Sequence, residues 1–560
     1  MNQLNLIILL ILILLIKSDS ESQGQQYTCP IADQPIQVFT NDVKYHLKPY
    51  VNGAKTFIGG EINDWNGKSI DVTSPIIDEK TGKPTIIGKI SQLNGEDAIN
   101  AVNAAKEAWN NGKGTWPQMN INDRIVALKK VVESLKSKRN EIINVLTWEI
   151  CKTSDDAAAE FDRTMTFIEA SFNAYIELDK ETSGWKTING IISRIRRAAI
   201  GIMMCLGPFN YPFNETYATL FPALLTGNIV IMKIPTLGGL VHMLTMEAYA
   251  KHLPKGVVNF VSGSGRSTIG PMMKTGLIDI LAFIGGSKAA DAIIKEHPHP
   301  HRLKVFLQLE GKNLGIVLPD ADLDVAAEQI TIGSTTYNGQ RCTAIKLTMV
   351  HESVVKQFLD KLKQKFAKLK YGLPWEQGVL ITPLPEDKKT QLMENLIIDA
   401  VNKGAKVINS NENGGLIAGN LMVPAIVYPV DSSMRLWHEE QFGPVVPIAI
   451  YKDIEEVYTY IAKTPYGQQA AIFTTNSISS APIVDVLSTV VGRININTQC
   501  GRSPDVLPFS GRRSSAMGTM SITESLKVFS IETVVASKYN DINESILKGL
   551  DENSIFLQNK

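Results

Sequence analysis

The sequence predicts an α/β protein built on parallel sheets, because strand-like apolar runs alternate with longer helical stretches from Val43 to about Val535. The 560 residues, 44% hydrophobic and 20% charged, suffice for a large core and two or three domains. Two strand-like runs end in polar residues, and open α/β sheets bind small molecules at the carboxyl ends of their strands. These observations predict a ligand site at a sheet edge.

The first of these runs, 200–206, leads into a loop with proline at positions 208 and 212, which oppose helix and place Asn210 on the loop. The second, 228–232, ends in Lys233-Ile234-Pro235-Thr236. Asn210 and Lys233 therefore lie where ligands bind. The alternatives are a turn-forming asparagine and a solvated surface lysine.

A third strand, 257–261, leads through Ser262-Gly263-Ser264-Gly265 into a predicted helix. Amides at that helix N-terminus are suited to phosphate. The glycine spacing misses the GxGxxG pattern, and such a segment is more often only a turn.

Cys342 has the neighbours of a reactive thiol. It follows Gly339-Gln340-Arg341, and a nearby guanidinium lowers a thiol pKa, while glycine allows close approach of backbone and substrate. The alternative is a buried structural thiol. The other four cysteines are scattered, so neither a disulfide framework nor a metal site is predicted.

The charges exclude another class of partner. Lysine plus arginine and aspartate plus glutamate each total 56, without blocks of like charge, so no field attracts nucleic acid. Small-molecule chemistry is the expected activity.

The N-terminus carries an unbroken apolar run at 6–16, followed by polar residues. It is too short for a membrane span of about 20 residues and is typical of a signal peptide. No lysine or arginine precedes it, and the cleavage signal at 18–20 is weak. Secretion through residues 1–20, retention as a membrane anchor and a mistaken start site all stay open.

Residues 187–197 alternate apolar and charged side chains and predict exposed strands. Together with the run 528–535 they predict a sheet edge used for oligomer formation. The polar tail beyond Lys538 is expected to be peripheral.

Four motifs in order resemble the aldehyde dehydrogenase superfamily over residues 40 to 537: Pro208-Phe209-Asn210-Tyr211-Pro212, Lys233, Gly339-Gln340-Arg341-Cys342 and Glu439-Glu440-Gln441-Phe442-Gly443-Pro444. Within it, 492–495 and 501–505 are similar to the non-phosphorylating, NADP-dependent glyceraldehyde-3-phosphate dehydrogenases. The resemblance implies a Rossmann-like cofactor domain, an α/β catalytic domain and a small β oligomerisation arm. Their expected bounds are 1–25 for the apolar segment, 40–180 and 199–306 for the cofactor domain, 307–522 for the catalytic domain, 184–198 and 523–538 for the arm, and 539–560 for the tail. A cytoplasmic homotetramer or homodimer is implied.

The resemblance also implies roles. Cys342 is the nucleophile toward an aldehyde, and Asn210 donates to the oxyanion. NADP, with NAD as the alternative, is expected at Lys233, Thr236, Ser262, Gly263, Gly265, Gly286, Glu440 and Phe442. A substrate phosphate is expected at Arg163, Tyr211, Arg341 and Arg502, since arginine suits phosphate oxygens.

One segment departs from the family pattern. Gln308 stands where most members have the glutamate that acts as general base for thioester hydrolysis, and Glu310 stands where they have glycine. Residues two apart on an extended strand share a face, so Glu310 is predicted to replace the base.

The favoured prediction is NADP-linked oxidation of glyceraldehyde 3-phosphate to 3-phosphoglycerate. The alternatives are a dehydrogenase for unphosphorylated aldehydes, a coenzyme-A-acylating enzyme and a non-catalytic cofactor-binding relative.

Overall fold

The computed structural model describes residues 27–32, 38–39, 48–182 and 184–558. The predicted signal or anchor segment at 1–25 lies outside these residues. Within the described ranges, no helix has the length and apolar character needed to cross a membrane.

The larger of two main sheets has eight strands around a parallel centre. In spatial order they are Ala516–Met517, Lys304–Gln308, Ile280–Ile284, Ile202–Leu206, Ile229–Lys233, Val258–Val261, Lys55–Ile58 and Glu61–Asp64. The second to sixth run parallel, and the outer three join antiparallel. Because helices cover both faces, the central strands are fully buried and apolar except for Lys233 and Asn259. The three strands predicted before the candidate ligand loops are confirmed within two residues.

The chain order reverses within this sheet. From Ile202–Leu206 it continues outward on one side, and it then returns to add Ile280–Ile284 on the other side. The carboxyl ends of these two neighbouring strands form the switch point at which ligands bind. Asn210 follows one of them and Gly286 the other.

The second main sheet has seven strands, parallel except for its first. Their order is Lys406–Val407, Ala425–Tyr428, Val445–Tyr451, Ile345–His351, Asn313–Val317, Gln469–Phe473 and Arg493–Ile496. The expected boundary at 306 and 307 falls inside Lys304–Gln308, a strand that belongs wholly to the larger sheet.

Helices cover both sheets. They are Gly95–Trp109, Ile121–Ser137, Arg139–Glu149, Ser154–Thr182, Pro212–Leu225, Leu240–Met243, Met246–His252, Gly265–Lys274, Ser287–Lys295, Leu323–Thr335, Val355–Phe366, Lys389–Asn402, Arg435–His438, Ile454–Lys463, Ser477–Ser488, Ile522–Val528 and Asp541–Asn553. A four-stranded sheet comprises Val38–Phe39, Ser69–Asp78, Lys83–Ser91 and Val51–Gly53.

Pro212 begins its helix, where its missing N–H costs nothing, so the predicted loop ends one residue earlier than expected.

A three-stranded arm is formed by Ser530–Lys538, Ile191–Ala199 and Lys186–Ile188. Of the two runs that the sequence singles out, residues 191–197 and 530–535 pair with each other as antiparallel strands. The expectation that the charged residues of the arm are exposed is wrong for two of them, since Arg194 and Arg196 are 1% and 4% exposed. Apolar side chains, including Ile531 and Val534, face outward instead. The use of this face in an oligomer stays a prediction.

The C-terminal tail buries these arginines, so it is more than peripheral. Its helix Asp541–Asn553 brings Asp551 to Trp185 Nε1, at 3.0 and 2.9 Å from the two carboxylate oxygens, and to Arg194 Nη1 at 2.6 Å. Arg196 donates to the carbonyls of Phe556 and Gln558.

We predict that Asp551→Ala loosens the arm. The substitution removes an acceptor shared by two donors, and a buried donor deprived of its acceptor costs about 1–3 kcal/mol. Hydrogen exchange of 186–199 should accelerate, while exchange in the seven-stranded sheet stays unchanged. Asp541→Ala, at the other end of the tail helix, is the control. Equal exchange in the wild type and both variants would contradict this role for the tail.

Candidate active site

A cavity of about 1000 Å³ opens between the carboxyl ends of the parallel strands of the larger sheet and the segments that lead into strands of the second sheet, such as 341–343 before Ile345–His351. It brings together all seven residues that the sequence predicts for catalysis and substrate binding and three of the eight predicted for the cofactor. Those that line it are Arg163, Asn210, Tyr211, Gly286, Glu310, Arg341, Cys342, Glu440, Phe442 and Arg502. No group of three or more potential metal ligands occurs in the described part of the chain.

The backbone before Cys342 is wound tightly. Tyr337, Asn338 and Gly339 all have positive φ, at 49°, 57° and 71°. At Gly339 a Cβ atom would lie 2.7 Å from the carbonyl oxygens of both Ser334 and Gly443, so only glycine fits. This turn delivers Cys342 to the cavity.

Asn210 links the two sheets next to the thiol. Its Nδ2 donates to the carbonyl of Gln340 at 2.8 Å, and its side chain is buried at the cavity wall. A carboxamide nitrogen carries two N–H groups, and the bond to Gln340 uses one of them. The second is left for another acceptor, so the predicted role of Asn210 as an oxyanion donor stays a prediction.

Burial raises the pKa of the Cys342 thiol to about 11, with Glu215 and Glu440 adding to the shift and Lys346 opposing it. Arg341, which the sequence suggests as the activating cation, points elsewhere: its Nη2 donates to the Gly333 carbonyl and to Gln499 Oε1, both at 3.2 Å. The cation that acts on the thiol is Lys346.

Sequence reasoning missed Lys346, although a lysine inside the apolar strand Ile345–His351 is itself a signal. Its Nζ donates to the Cys342 carbonyl at 3.1 Å and to Glu440 Oε1 at 2.6 Å. Glu440 Oε1 also accepts from the Gly311 amide at 3.1 Å. The carboxylate predicted to hold the nicotinamide ribose is therefore fixed beside the nucleophile.

Phe442 lies across the cavity from the Asn210 loop. It has a φ of 44°, and its ring meets Phe209 edge to face with centroids 6.0 Å apart. Phe442 lines the cavity, and its contact with the nicotinamide stays a prediction.

The departure at Gln308 and Glu310 has a structural counterpart. Gln308 is 2% exposed and lines the cavity, and neither of its amide atoms has a hydrogen-bond partner among the described residues. Glu310 also lines the cavity, but both of its oxygens accept from the Ser287 amide at 2.9 Å. Glu310 thus caps the helix Ser287–Lys295, where the helix dipole favours a carboxylate.

Four arginines at the cavity wall form what we call the arginine cluster: Arg163, Arg341, Arg493 and Arg502. Two carboxylates partly neutralise it. Asp505 binds Arg163 through two hydrogen bonds of 2.9 and 2.7 Å, and Glu215 binds Arg502 Nη1 at 2.6 Å. Although burial opposes it, Arg163 and Arg502 hold the pKa of Asp505 below its usual value. Glu215 and Asp505 were not among the predicted residues.

The remaining predicted cofactor residues, Lys233, Thr236, Ser262, Gly263 and Gly265, lie outside the lining of this cavity. Lys233 is the last residue of its strand and pairs with Val261, the last residue of the neighbouring strand, and the other four follow these two strands. Burial lowers the pKa of Lys233 to about 8. Ser262 Oγ is bonded to Ser91 Oγ at 2.8 Å, and a Cβ at Gly263 would meet the Leu93 carbonyl at 2.6 Å. These residues form a continuation of the site along the sheet edge.

A parallel sheet with a switch point, joined to a second sheet that presents a cysteine beside an amide donor, is the arrangement that the resemblance to the aldehyde dehydrogenases predicts. Residues 64–535 match the aldehyde dehydrogenase family. The chain belongs to this family and is an NAD(P)-dependent aldehyde dehydrogenase, as the sequence predicts.

Two similar sequences and one similar crystal structure carry the same enzyme name. An NADP-dependent glyceraldehyde-3-phosphate dehydrogenase of Streptococcus equinus is 32% identical over 497 residues, covering 87% of this chain and 98% of the relative. The enzyme of that name from Pisum sativum is 31% identical, covering 84% and 92%. A crystal structure of the Bacillus halodurans C-125 enzyme of the same name, complexed with NADP, has 31% identity and a TM-score of 0.79, covering 87% of this chain and all of that one.

The fold alone does not select the aldehyde. A betaine aldehyde dehydrogenase from Staphylococcus aureus superposes with a TM-score of 0.77 at 23% identity, covering 88% of this chain and 96% of that one. The choice of substrate therefore depends on the side chains of the cavity.

We predict that alkylation of Cys342 by iodoacetamide, in the enzyme without added cofactor, accelerates about tenfold per pH unit from 7 to 9. The thiolate is the reactive form, and a pKa raised to about 11 keeps the thiol protonated throughout that range. Mass spectrometry measures the modified fraction against time. Cys342→Ser controls for the other four cysteines, which are buried. A rate that levels off below pH 8 would contradict the raised pKa.

Proposed function

We propose that this enzyme oxidises glyceraldehyde 3-phosphate, or a similar small phosphorylated aldehyde, to the free acid with NADP. The observation that carries the proposal is the arginine cluster in the same cavity as Cys342. The cluster has four guanidinium groups, and the carboxylates of Asp505 and Glu215 offset two of their charges. The two positive charges that remain match a phosphate dianion. Arg502 Nη2 and Arg341 Nε are buried without a hydrogen-bond partner among the described residues.

The residues present fit a phosphorylated dinucleotide. Gly285 and Gly286 carry no side chains, the amide of Ser287 opens the next helix, and Lys233 supplies a cation at the end of Ile229–Lys233, two strands away in the same sheet. Lys233 and the exposed Thr236 would hold the adenosine ribose phosphate, and Glu440 the nicotinamide ribose. The bound cofactor supplies the hydride acceptor.

The residues of this chain account for the acylation step. The Cys342 thiolate adds to the aldehyde carbon, and the Asn210 amide with the Cys342 N–H stabilises the oxyanion. Loss of hydride from that carbon leaves a thioester on Cys342. Arg502, Arg341 and Arg163, with Tyr211, orient the substrate by its phosphate.

Deacylation needs a group that accepts a proton from water. Gln308 cannot take the proton, so we assign this role to Glu310, the carboxylate two residues further on in the same cavity. In the present structure Glu310 is bonded to Ser287, so it must leave that helix terminus to reach water beside Cys342. The vacated amide is then free for a cofactor phosphate.

A second candidate function is acyl transfer to coenzyme A. The absence of a carboxylate at position 308, together with the engagement of Glu310 elsewhere, favours it. Analysis of the products with and without coenzyme A separates the two reactions.

We predict that Arg502→Ala lowers kcat/KM for glyceraldehyde 3-phosphate by about 100-fold or more but changes kcat/KM for propanal less than threefold. The lost guanidinium contacts the phosphate and no part of a plain aldehyde, and charge-assisted hydrogen bonds contribute about 1.5–3 kcal/mol each. Steady-state assays compare the two substrates. Arg512→Ala, outside the cavity, is the matched control. Equal losses with both aldehydes would refute the phosphate site.

We predict that Glu310→Gln keeps the pre-steady-state burst of NADPH but loses turnover by about 100-fold or more, because only deacylation requires the base. Stopped-flow absorbance measures both phases. Gln308→Glu in the Glu310→Gln background should restore turnover by returning a carboxylate to the cavity. If Glu310→Gln turns over like the wild type, Glu310 is not the base. If the acyl group leaves Cys342 only when coenzyme A is added, the hydrolytic function is wrong.

A further inference from the structure

A buried lysine lies directly behind the loop that carries Asn210. Lys152 has no exposed side-chain surface, and its Nζ donates to the Asn210 carbonyl at 2.8 Å and to the Glu160 carboxylate. Lys152 does not line the cavity. It contacts the backbone of the proposed oxyanion donor from the side away from the substrate.

Aromatic rings enclose the rest of the ammonium group. Nζ lies 3.5 Å from the ring centroid of Tyr211 and 4.7 Å from that of Tyr337. Tyr211 is the next residue after Asn210, and Tyr337 begins the turn that delivers Cys342. Tyr337 is itself tied back, because its hydroxyl donates to the Ile150 carbonyl at 2.9 Å. One cation thus contacts both chain segments that meet at the nucleophile.

Glu160 fixes the other end of the same loop. Its Oε1 accepts from the backbone amides of Phe213 and Asn214, each at 3.0 Å, in the first turn of the helix Pro212–Leu225. Lys152 holds the loop before this helix and Glu160 holds the helix start. The loop has fewer backbone donors of its own to hold it in place, since the prolines at 208 and 212 carry no N–H.

Stability alone does not explain such a pair. Removing two charges from water costs several kcal/mol for each ion, and buried ion pairs are often no more stabilising than apolar residues of similar volume. The pair does determine geometry, because the ammonium can satisfy the Asn210 carbonyl and Glu160 together only from one position. A misplacement of about 1 Å in a catalytic group can lower a rate about 100-fold.

We propose that Lys152, held by Glu160, is a positioning residue that fixes the Asn210 amide as the oxyanion donor beside Cys342. The proposal rests on the oxyanion role of Asn210 given under Proposed function. It predicts that loss of the pair slows attack on the aldehyde but not the intrinsic reactivity of the thiol.

The test is a double-mutant cycle on the full-length enzyme. Lys152→Met combined with Glu160→Gln removes both charges together, so no buried ion is left unpaired. This pair variant is made with and without Asn210→Ala. The burst of NADPH is measured with NADP and whichever of glyceraldehyde 3-phosphate and propanal gives a burst in the wild type. Alkylation of Cys342 by iodoacetamide is measured in parallel, because it forms no oxyanion.

We expect Asn210→Ala to slow the burst about 100-fold or more, as loss of one oxyanion donor does elsewhere. The pair variant should slow it about 10-fold to 100-fold, yet add less than about threefold in the Asn210→Ala background, because Lys152 acts through Asn210. Alkylation should stay within threefold of the wild type. Arg196→Met combined with Asp179→Asn, which removes a buried ion pair of the arm, should leave the burst rate unchanged.

Two outcomes separate the possible errors. If Asn210→Ala does not slow the burst, the oxyanion assignment itself is wrong. If Asn210→Ala slows it and the pair variant slows it further by the same factor as in the wild type, or if alkylation falls in parallel, Lys152 has only a structural role.

A conservative variant keeps the proposal testable if the methionine variant does not fold. Lys152→Gln combined with Glu160→Gln retains a neutral donor for the Asn210 carbonyl, so it should give a burst within about tenfold of the wild type. A folded glutamine variant with a burst more than 100-fold slower than the wild type would overturn the positioning role.

Discussion

The hydrogen bond from Asn210 to the Gln340 carbonyl is the contact on which the active site depends. One partner follows a strand of the larger sheet, and the other precedes the strand Ile345–His351 of the second sheet. Each sheet brings half of the chemistry, a donor on one side and a thiol on the other. A shift between the sheets would separate oxyanion donor from nucleophile. The tight turn before Cys342 and the buried lysine behind Asn210 both restrict that shift.

Much of this arrangement is predictable from the sequence because its parts are local. The strands before Asn210 and Lys233 are continuous apolar runs, and prolines mark the loop that follows the first. What the sequence does not disclose is which charges meet. Lys152, Lys346 and Glu215 are far apart in the chain and act on Asn210 or Cys342 only through the fold. The burial of Arg194 could not be predicted from the sequence for the same reason, because its acceptor Asp551 lies 357 residues later in the chain.

Two carboxylates reduce the net positive charge of the arginine cluster. A set of four arginines would be too strongly positive to stay close together unless carboxylates intervened, and Glu215 and Asp505 supply them. The same Glu215 works against Cys342 by favouring the protonated thiol. A substrate phosphate at Arg502 would compete with Glu215 for the guanidinium.

Residues two apart on a strand point to the same face, but this rule does not extend from Gln308 to Glu310. The strand Lys304–Gln308 ends at Gln308, and Glu310 lies beyond it, so the pleat no longer dictates the direction of its side chain. The backbone on either side is held, because Leu309 N donates to the Ser515 carbonyl and Gly311 N to Glu440. With the backbone held on both sides, the side chain of Glu310 can point either to the amide of Ser287 or into the cavity. A carboxylate placed on the strand itself at position 308 would have one fixed direction, whereas at position 310 its direction depends on what else occupies the helix terminus. With Glu310 as the proposed base, deacylation would depend on whether another group occupies the Ser287 amide.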